Sequence, residues 1–365
     1  MKVILAPVLR AEKWTSIDLL HANYLATLPQ FRDEAELVDF QPDESLAGSR
    51  IGKRLVRDVL YPMQIRRTAK QTSPRPVLHV IDHSYGHLCA AWQPSVITCN
   101  DLNHFTAPAL NGLTLKLWRL RVNQMRKAAR VVCISGQLAS EVQEHVGIPS
   151  ERIIVAHYGI DNACFRPLPL EEAAAKLPQL AAERERSLLV LNIGSNLSRK
   201  NLPTVLRAIA MLRERGLPVK LVKIGHNLVA DGLGPFIREL KLDDAIIELG
   251  KISPDQVAAA CNLCHALHFP SMYEGFGRPT IEAQAAGLPC VLAEASCMHE
   301  IGGEGALYHA PTDVEAAAAH LQSAMTDSST RELLIAAGFE NVKRFSWANH
   351  ARQLIRAWKE AAADS

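Results

Sequence analysis

The chain has 365 residues, more than one hydrophobic core usually organises, so we expect two domains of roughly 150 to 200 residues. Its composition, 48% hydrophobic and 21% charged, is that of an ordinary globular protein, and its net charge of +2 indicates no particular partner. The eight cysteines lack the dense spacing of a disulfide framework. No signal-peptide pattern opens the sequence and no uncharged apolar run reaches about 18 residues, so we expect a cytoplasmic protein.

Short apolar runs alternate with amphipathic stretches along the chain, which is typical of a parallel sheet layered by helices. The predicted strands of the first half are Val3–Ala6, Ala35–Val38, Val77–Ile81, Ser95–Thr98, Arg130–Ile134 and Ile153–Ala156. Those of the second half are Ser187–Ile193, Val219–Ile224, Ile246–Leu249, Ala266–Phe269 and Cys290–Ala293.

A segment with three prolines and no strand pattern, residues 166–186, joins the two sets of strands. It predicts an N-terminal domain of residues 1–167 and a C-terminal domain of residues 168–345. Both would be doubly wound α/β domains, which bind ligands beyond the carboxyl ends of their strands. We therefore expect the two domains to face each other across a cleft that holds the active site.

Positive charge is concentrated in the first half, where 20 Lys and Arg face 15 Asp and Glu. Residues 50–75 hold eight cations and one acid, and residues 116–130 hold six cations and no acid. Such basic amphipathic stretches suit an anionic membrane surface or an anionic acceptor, although an ordinary solvated helix face has the same pattern. Nucleic acid is not expected, because no aromatic-rich or helix-turn-helix pattern accompanies the charge.

Polar side chains cluster where two neighbouring strands of the first domain end, within residues 77–105. Catalytic groups collect at such strand ends. His83, Asp101 and His104 are therefore candidate catalytic residues, or else structural residues.

Two loops of the second domain have a pattern suited to phosphate binding. The first follows the strand that ends at Ile193 and contains Gly194, Arg199 and Lys200. Two adjacent cations there would neutralise a bound diphosphate.

The second loop, within residues 268–293, has glycines before a short helix, and this arrangement exposes backbone N–H groups to a diphosphate. Glu274 lies on the loop, and Glu282 is expected in the first turn of the helix, where it could accept hydrogen bonds from ribose hydroxyls. Such a site needs no metal.

The spacing of Glu274 and Glu282, set in PSMYEGFGRPTIEAQAAGLP, resembles the signature of the retaining glycosyltransferases of family 4, also called glycosyl transferases group 1. The resemblance implies that Glu274 contacts the transferred sugar near its reacting carbon, and that Glu282 binds the donor ribose. The loop amides of Gly275, Phe276 and Gly277 would hold sugar hydroxyls and phosphate.

Similarities in other segments extend the resemblance. The segment from Gly194 to Asn201 is similar to the family's Gly-x-x-x-x-Arg-Lys-Asn segment, which assigns Arg199 and Lys200 to the leaving group. The residues that would hold the nucleobase are Gly250, Lys251 and Ile252.

The resemblance implies the GT-B fold, in which a C-terminal helix, here residues 346–365, crosses back to the first domain. It implies a retaining, metal-independent transfer of a hexose such as mannose, glucose or an N-acetylhexosamine from a nucleotide diphosphate sugar. The acceptor would be a glycan or a lipid-linked glycan, and no cofactor or metal is expected. The basic segments favour peripheral association with the inner face of the cytoplasmic membrane.

Two departures from the family pattern concern the first domain. Asn100 occupies the position before Asp101 where many relatives have histidine, and the loop Pro7–Trp14 lacks the usual glycines. Arg10 or Lys13 could replace its phosphate contact by charge. These departures leave a second hypothesis open, a non-catalytic GT-B protein that binds a nucleotide or glycan beside another transferase. A GT-B epimerase is a third, which the Glu274–Glu282 segment disfavours.

Overall fold

The structure is a computed structural model that describes residues 1–106 and 111–364. Ser365, the last residue of the segment expected to form the C-terminal helix, lies outside the described residues. The chain forms two compact units, Met1–Gly159 with Ser346–Ser365, and Ile160–Phe345. Sequence analysis placed the boundary after residue 167. Residues 160–167 group with the second unit, in which the Asn262 side chain accepts a hydrogen bond from the Leu168 N–H (2.8 Å).

The first unit holds a six-stranded sheet in the order β2-β1-β3-β4-β5-β6, in which every pair is parallel. Its strands are β1 (Lys2–Ala6), β2 (Glu36–Val38), β3 (Val77–Val80), β4 (Ser95–Cys99), β5 (Arg130–Cys133) and β6 (Ile153–Val155). Its first α-helices are α1 (Thr15–Thr27), α2 (Arg50–Leu55), α3 (Tyr61–Gln71), α4 (Asn103–Thr106), α5 (Gly112–Asn123) and α6 (Gly136–Glu141). A π-helical turn, Val56–Leu60, joins α2 to α3. Every residue of β3 and β4 is buried, which agrees with their mostly apolar sequences, VLHV and SVITC.

The second unit holds a six-stranded parallel sheet in the order β12-β11-β10-β7-β8-β9. Its strands are β7 (Leu188–Gly194), β8 (Val219–Gly225), β9 (Ile246–Gly250), β10 (Ala266–Phe269), β11 (Cys290–Ala293) and β12 (Ala306–His309). Its α-helices are α7 (Leu170–Lys176), α8 (Pro178–Arg184), α9 (Leu202–Glu214), α10 (Gly234–Glu239), α11 (Pro254–Leu263), α12 (Arg278–Ala285), α13 (Met298–Gly302), α14 (Val314–Thr326) and α15 (Ser328–Val342). The α/β fold class with two doubly wound parallel sheets is thereby confirmed.

The last helix, α16 (Trp347–Ala363), belongs to the first unit and packs on β3, β4 and β5. It begins at Ser346, whose hydroxyl accepts a hydrogen bond from the Asn349 N–H (3.2 Å). Trp358 is fully buried and meets the His79 ring edge to face at 5.6 Å. The prediction that the C-terminal helix packs back on the first domain is confirmed. Within the described residues, no helix is long and apolar enough to cross a membrane.

Each sheet has a point where the strand order reverses, and ligands of doubly wound domains bind at such points. In the second unit the reversal lies between β7 and β10, and in the first unit between β1 and β3. The two loops that sequence analysis singled out in the second domain follow β7 and β10. The sheet order therefore brings these loops together at one end of the second unit.

Candidate active site

The loop after β10 leads into α12 through Gly277, whose φ of +84° lies in the left-handed region. A Cβ atom there would stand 2.4 Å from the Cε atom of Met298, so only glycine fits without a shift of the neighbouring side chain. Phe276 is buried and meets Phe345 edge to face at 5.7 Å. Its side chain thus anchors the loop in the second unit.

Glu274 lies between the two cations that sequence analysis assigned to the leaving group. Its Oε1 atom accepts a hydrogen bond from Lys200 Nζ at 2.5 Å, and its Oε2 atom lies 3.3 Å from Arg199 Nη1. Backbone contacts join the same loops, because the Met272 N–H donates to the Arg199 carbonyl (2.8 Å) and Arg199 donates to the Tyr273 carbonyl (3.0 Å). The structure therefore brings Arg199, Lys200 and Glu274 together as one cluster, here called the carboxylate–cation cluster.

The electrostatics of this cluster keep Glu274 ionised. Burial by itself would raise the pKa of this carboxyl, but Lys200 and Arg199 outweigh burial and lower its pKa overall. The cluster consists of two cations and one anion, so it carries one positive charge in excess. A dianionic or trianionic diphosphate would find complementary charge there.

Glu282 lies on α12, which begins at Arg278, and so occupies the second helical turn. The expectation that it lies in the first turn is wrong, because α12 begins directly after Gly277 and Glu282 is its fifth residue. Its carboxylate is buried and is paired with Arg278 at 2.9 Å. Burial raises the pKa of Glu282, and Arg278 offsets only part of that effect.

Lys223 is a third cation near the first loop, and sequence analysis missed it. It is fully buried on β8, and its ammonium donates to the Gly194 carbonyl (2.5 Å) and to the Ile224 carbonyl (2.9 Å). Burial, followed by repulsion from Lys200, lowers the pKa of Lys223 to about 8. The signal available in the sequence was a lysine inside an apolar strand, a position that normally requires a partner.

The predicted nucleobase residues follow the edge strand β9, two strands away from β7. Gly250 ends that strand with a φ of +65°, Lys251 is exposed and Ile252 is half-buried. Gly194 ends β7 with a φ of +134°. Their positions at the carboxyl ends of the strands are compatible with the roles implied by resemblance.

The candidate residues of the first unit line a cavity of about 490 Å³, whose walls include His83, Asp101, His104 and Trp118. His83 Nδ1 accepts a hydrogen bond from the Asn100 N–H (3.4 Å) and lies 3.6 Å from Asp82 Oδ2.

Asn100 makes structural contacts beside this cavity. Its side-chain amide donates to Asp82 Oδ2 (2.8 Å), and its oxygen accepts from the Tyr158 hydroxyl (2.5 Å). Within the described residues, no group of three His, Cys, Asp or Glu side chains is arranged to hold a metal ion.

Two parallel-sheet units, one with a carboxylate–cation cluster at its strand reversal, define the class of GT-B glycosyltransferases. Two family models match successive parts of the chain: Glycosyltransferase Family 4 over residues 29–163, and glycosyl transferases group 1 over residues 175–341. The chain is therefore a glycosyltransferase of the kind that these two models describe.

Curated relatives include the O-antigen chain mannosyltransferase B of Escherichia coli, 28% identical over 73% of this chain and 70% of that protein. The MMP alpha-(1->4)-mannosyltransferase of Mycolicibacterium hassiacum is 27% identical over 68% of this chain and 59% of that protein. Among solved structures, Anabaena HepE in complex with UDP and glucose superposes with a TM-score of 0.75 at 17% identity, covering 98% of this chain and 99% of that one. The sucrose-phosphate synthase of Thermosynechococcus elongatus gives 0.72 at 19% identity, covering 90% and 84%. At these identities the structural likeness concerns the fold alone.

Proposed function

We propose that this protein transfers a hexose from a nucleotide diphosphate sugar to a glycan or lipid-linked acceptor, with retention of anomeric configuration and without a metal ion. The observation that carries the proposal is the carboxylate–cation cluster at the strand reversal of the second unit. Mannose is the favoured sugar, because relatives from Escherichia coli and Mycolicibacterium hassiacum are named mannosyltransferases.

In this proposal Arg199 and Lys200 bind the diphosphate and stabilise the charge that develops on it as the glycosidic bond breaks. Groups aimed in advance at developing charge supply a large part of catalysis in many enzymes. Two cations that already face the phosphates do the work for which other transferases use a metal ion, and this supports metal independence.

The two glutamates have separate roles in the proposal. Glu274 lies beside the cations and contacts the transferred sugar near its reacting carbon, whereas Glu282, a turn into α12, accepts hydrogen bonds from the donor ribose. Retention follows from attack on the face that the diphosphate leaves, with the leaving phosphate accepting the acceptor's proton. His83 and Asp101 line the cavity where the acceptor hydroxyl would be held.

Thermal unfolding with a panel of sugar nucleotides, each with and without EDTA, tests the proposal. A ligand at 100 times its Kd stabilises the folded state by about 2.7 kcal/mol, which corresponds to a Tm rise of about 5 to 10 °C for a unit of this size. A mannose-carrying sugar nucleotide should give the largest rise, and EDTA should leave it unchanged.

The matched variants are Glu282→Ala, which should lose the rise, and Glu239→Ala at an exposed position of α10, which should keep it. A rise that disappears with EDTA contradicts metal independence. Stabilisation by no sugar nucleotide favours the non-catalytic hypothesis. Retention itself is measured by proton NMR of the anomeric signal of the first-formed product, and an inverted product contradicts it.

A further inference from the structure

A basic cavity of about 1010 Å³ lies in the first unit, between the loop after β1, the start of α2 and helix α5. Six cations line it: Lys13, Arg50, Lys53, Arg54, Arg57 and Arg121. The acidic residues of its lining are Glu12 and Asp58. The cavity thus carries a formal excess of four positive charges.

Neither acid neutralises the cavity, because each is shared between two cations. Glu12 lies 3.4 Å from Arg57 and 3.6 Å from Lys53. Asp58 lies 2.8 Å from Arg57 and 3.7 Å from Arg121. These pairs hold the cations in place while leaving charge for a ligand. A concave site lined by one sign of charge attracts counter-ions, and guanidinium groups match phosphate oxygens in pairs.

Apolar side chains stand exposed along the same two helical segments, which is unusual in number although single exposed ones are ordinary. They are Ile51, Leu55, Val59 and Met63 on the helix from α2 to α3, and Leu113, Leu117 and Leu120 on α5. The four side chains on the helix from α2 to α3 are spaced four residues apart, which is slightly more than one turn of an α-helix but slightly less than one turn of a π-helix. The π-helical turn Val56–Leu60 therefore keeps the first four side chains near one line along the helix.

The basic cavity adjoins the smaller cavity that holds His83 and Asp101. The two cavities share the wall residues Glu12, Arg57, Thr114 and Arg121. A ligand whose anionic group binds Arg57 and Arg121 could therefore extend uncharged parts toward His83. The basic cavity thus adjoins both exposed apolar side chains and a polar cavity, and these three surfaces suit the three parts of an amphiphile.

We propose that the basic cavity binds the diphosphate of a lipid diphosphate that carries the acceptor glycan. The lipid chain lies along the exposed apolar side chains, and the glycan enters the cavity of His83 and Asp101. A diphosphate suits the four excess charges better than the single charge of a phospholipid headgroup. This inference rests on the proposed function, since it names the acceptor class of the same transferase.

Vesicle flotation of the full chain tests the inference. Three compositions are compared: phosphatidylcholine alone, phosphatidylcholine with 2 mol% undecaprenyl diphosphate, and phosphatidylcholine with phosphatidylglycerol at the same surface charge. The diphosphate vesicles should bind at least tenfold more tightly than the other two, and free inorganic diphosphate should compete.

Two pairs of variants separate charge from apolar contact. Arg50→Gln with Arg54→Gln removes two exposed cavity cations and should weaken both vesicle binding and inorganic diphosphate competition at least tenfold. Arg67→Gln with Lys70→Gln, on the same helical segment outside the cavity, should change binding less than twofold. Ile51→Ser with Leu117→Ser should weaken vesicle binding about tenfold and leave competition by inorganic diphosphate unchanged; Leu333→Ser, an exposed leucine of the second unit, is its control.

Equal binding to phosphatidylglycerol vesicles, or equal losses in the cavity pair and its control pair, would overturn the inference in favour of general electrostatic attachment to membranes. Absence of competition by inorganic diphosphate would overturn it too. The Tm rise of the wild-type chain with sugar nucleotide is measured on the same preparation. If that rise is present while the cavity variants bind vesicles as the wild type does, this inference alone fails. If the rise is absent, the proposed function fails by itself.

Discussion

Replacing Glu274 by glutamine should destabilise the second unit and, at the same time, strengthen its binding of a nucleoside diphosphate. The substitution keeps the size of the side chain but removes the only negative charge of the carboxylate–cation cluster. Lys200 and Arg199, at 2.5 Å and 3.3 Å from the carboxylate, are then left facing each other without it. Removing one partner from a buried ion pair costs about 3 to 5 kcal/mol.

The structure favours a value at or below the lower end of that range. The Arg199 side chain is 24% exposed and the Lys200 side chain is 13% exposed, so water can solvate part of the freed charge. We expect a loss of about 2 to 3 kcal/mol in the free energy of unfolding. For a unit of this size the Tm should fall by about 4 to 12 °C.

A nucleoside diphosphate should restore much of this loss, because its phosphates can pair with the freed cations. The Tm rise produced by GDP should therefore be larger in Glu274→Gln than in the wild type, while turnover falls by about two orders of magnitude. The matched control is Glu340→Gln, which removes a carboxylate 2.5 Å from Lys343 on the surface and should cost less than about 1 kcal/mol.

Differential scanning fluorimetry and a GDP-release assay measure the two effects. A Glu274→Gln variant with wild-type Tm would show that the Glu274 carboxylate does not stabilise the second unit by balancing the charges of Lys200 and Arg199. Loss of the GDP response in parallel with turnover would show that Glu274 binds the nucleotide and that its role and that of Glu282 are assigned wrongly.

Three further predictions concern other parts of the molecule. Glu282→Ala should weaken sugar-nucleotide binding about ten- to a hundredfold by isothermal titration, since it removes a charged hydrogen-bond acceptor; an unchanged Kd contradicts its ribose role. Gly277→Ala should lower the Tm and abolish the donor response, because the added Cβ would lie 2.4 Å from Met298 and a φ of +84° is strained for alanine. The double variant Gly277→Ala with Met298→Ala should recover only part of the lost Tm. Full recovery would mean that the backbone angle costs nothing. Finally, acid should destabilise the first unit. Burial lowers the pKa of His350 to about 4 and that of His79 to about 3, so between pH 6.5 and 4 the unfolded chain binds protons that the folded unit does not. Stability is therefore lost as the pH falls through this window, by up to about 1.4 kcal/mol per pH unit for each histidine. Tm measured from pH 7 to pH 4 should fall less steeply in His350→Phe, and an identical slope would exclude His350 as the cause.

Most strands could be predicted from the sequence, because buried parallel strands are continuous apolar runs that need no partner to be visible. All eleven predicted strands are present in the sheets. β12 was missed, because ALYH follows the glycine-rich IGGEG, which has the composition of a loop, and because two of its four residues are only half-buried. This edge strand is specified by its pairing with β11, a contact that lies outside any local pattern.

The site shows the same division between local and tertiary information. The glycines and glutamates of the loop after β10 could be found from spacing, but the pairing of Glu274 with Lys200 joins residues 74 positions apart. Sequence analysis did not identify Lys223, because its partners are backbone carbonyls at the end of β7 and on its own strand, which no sequence pattern marks. The sequence showed the cations of the basic cavity only as two basic segments, residues 50–75 and 116–130, and did not predict that they share one cavity.

Lys223 explains why the cluster needs a carboxylate before any donor binds. Three cations, Lys223, Lys200 and Arg199, lie around the ends of β7 and β10, and the lowered pKa of Lys223 shows that burial and repulsion by Lys200 already penalise its charge. Without Glu274 this repulsion would have to be relieved by moving Lys200 away from the loop. The carboxylate instead holds Lys200 in place, 4.7 Å above the Phe269 ring, and so keeps the cations positioned for a diphosphate. Glu274 thus acts twice in the proposed reaction, as the counter-ion that keeps the empty site assembled and as the group that meets the sugar once phosphates have taken over its cations.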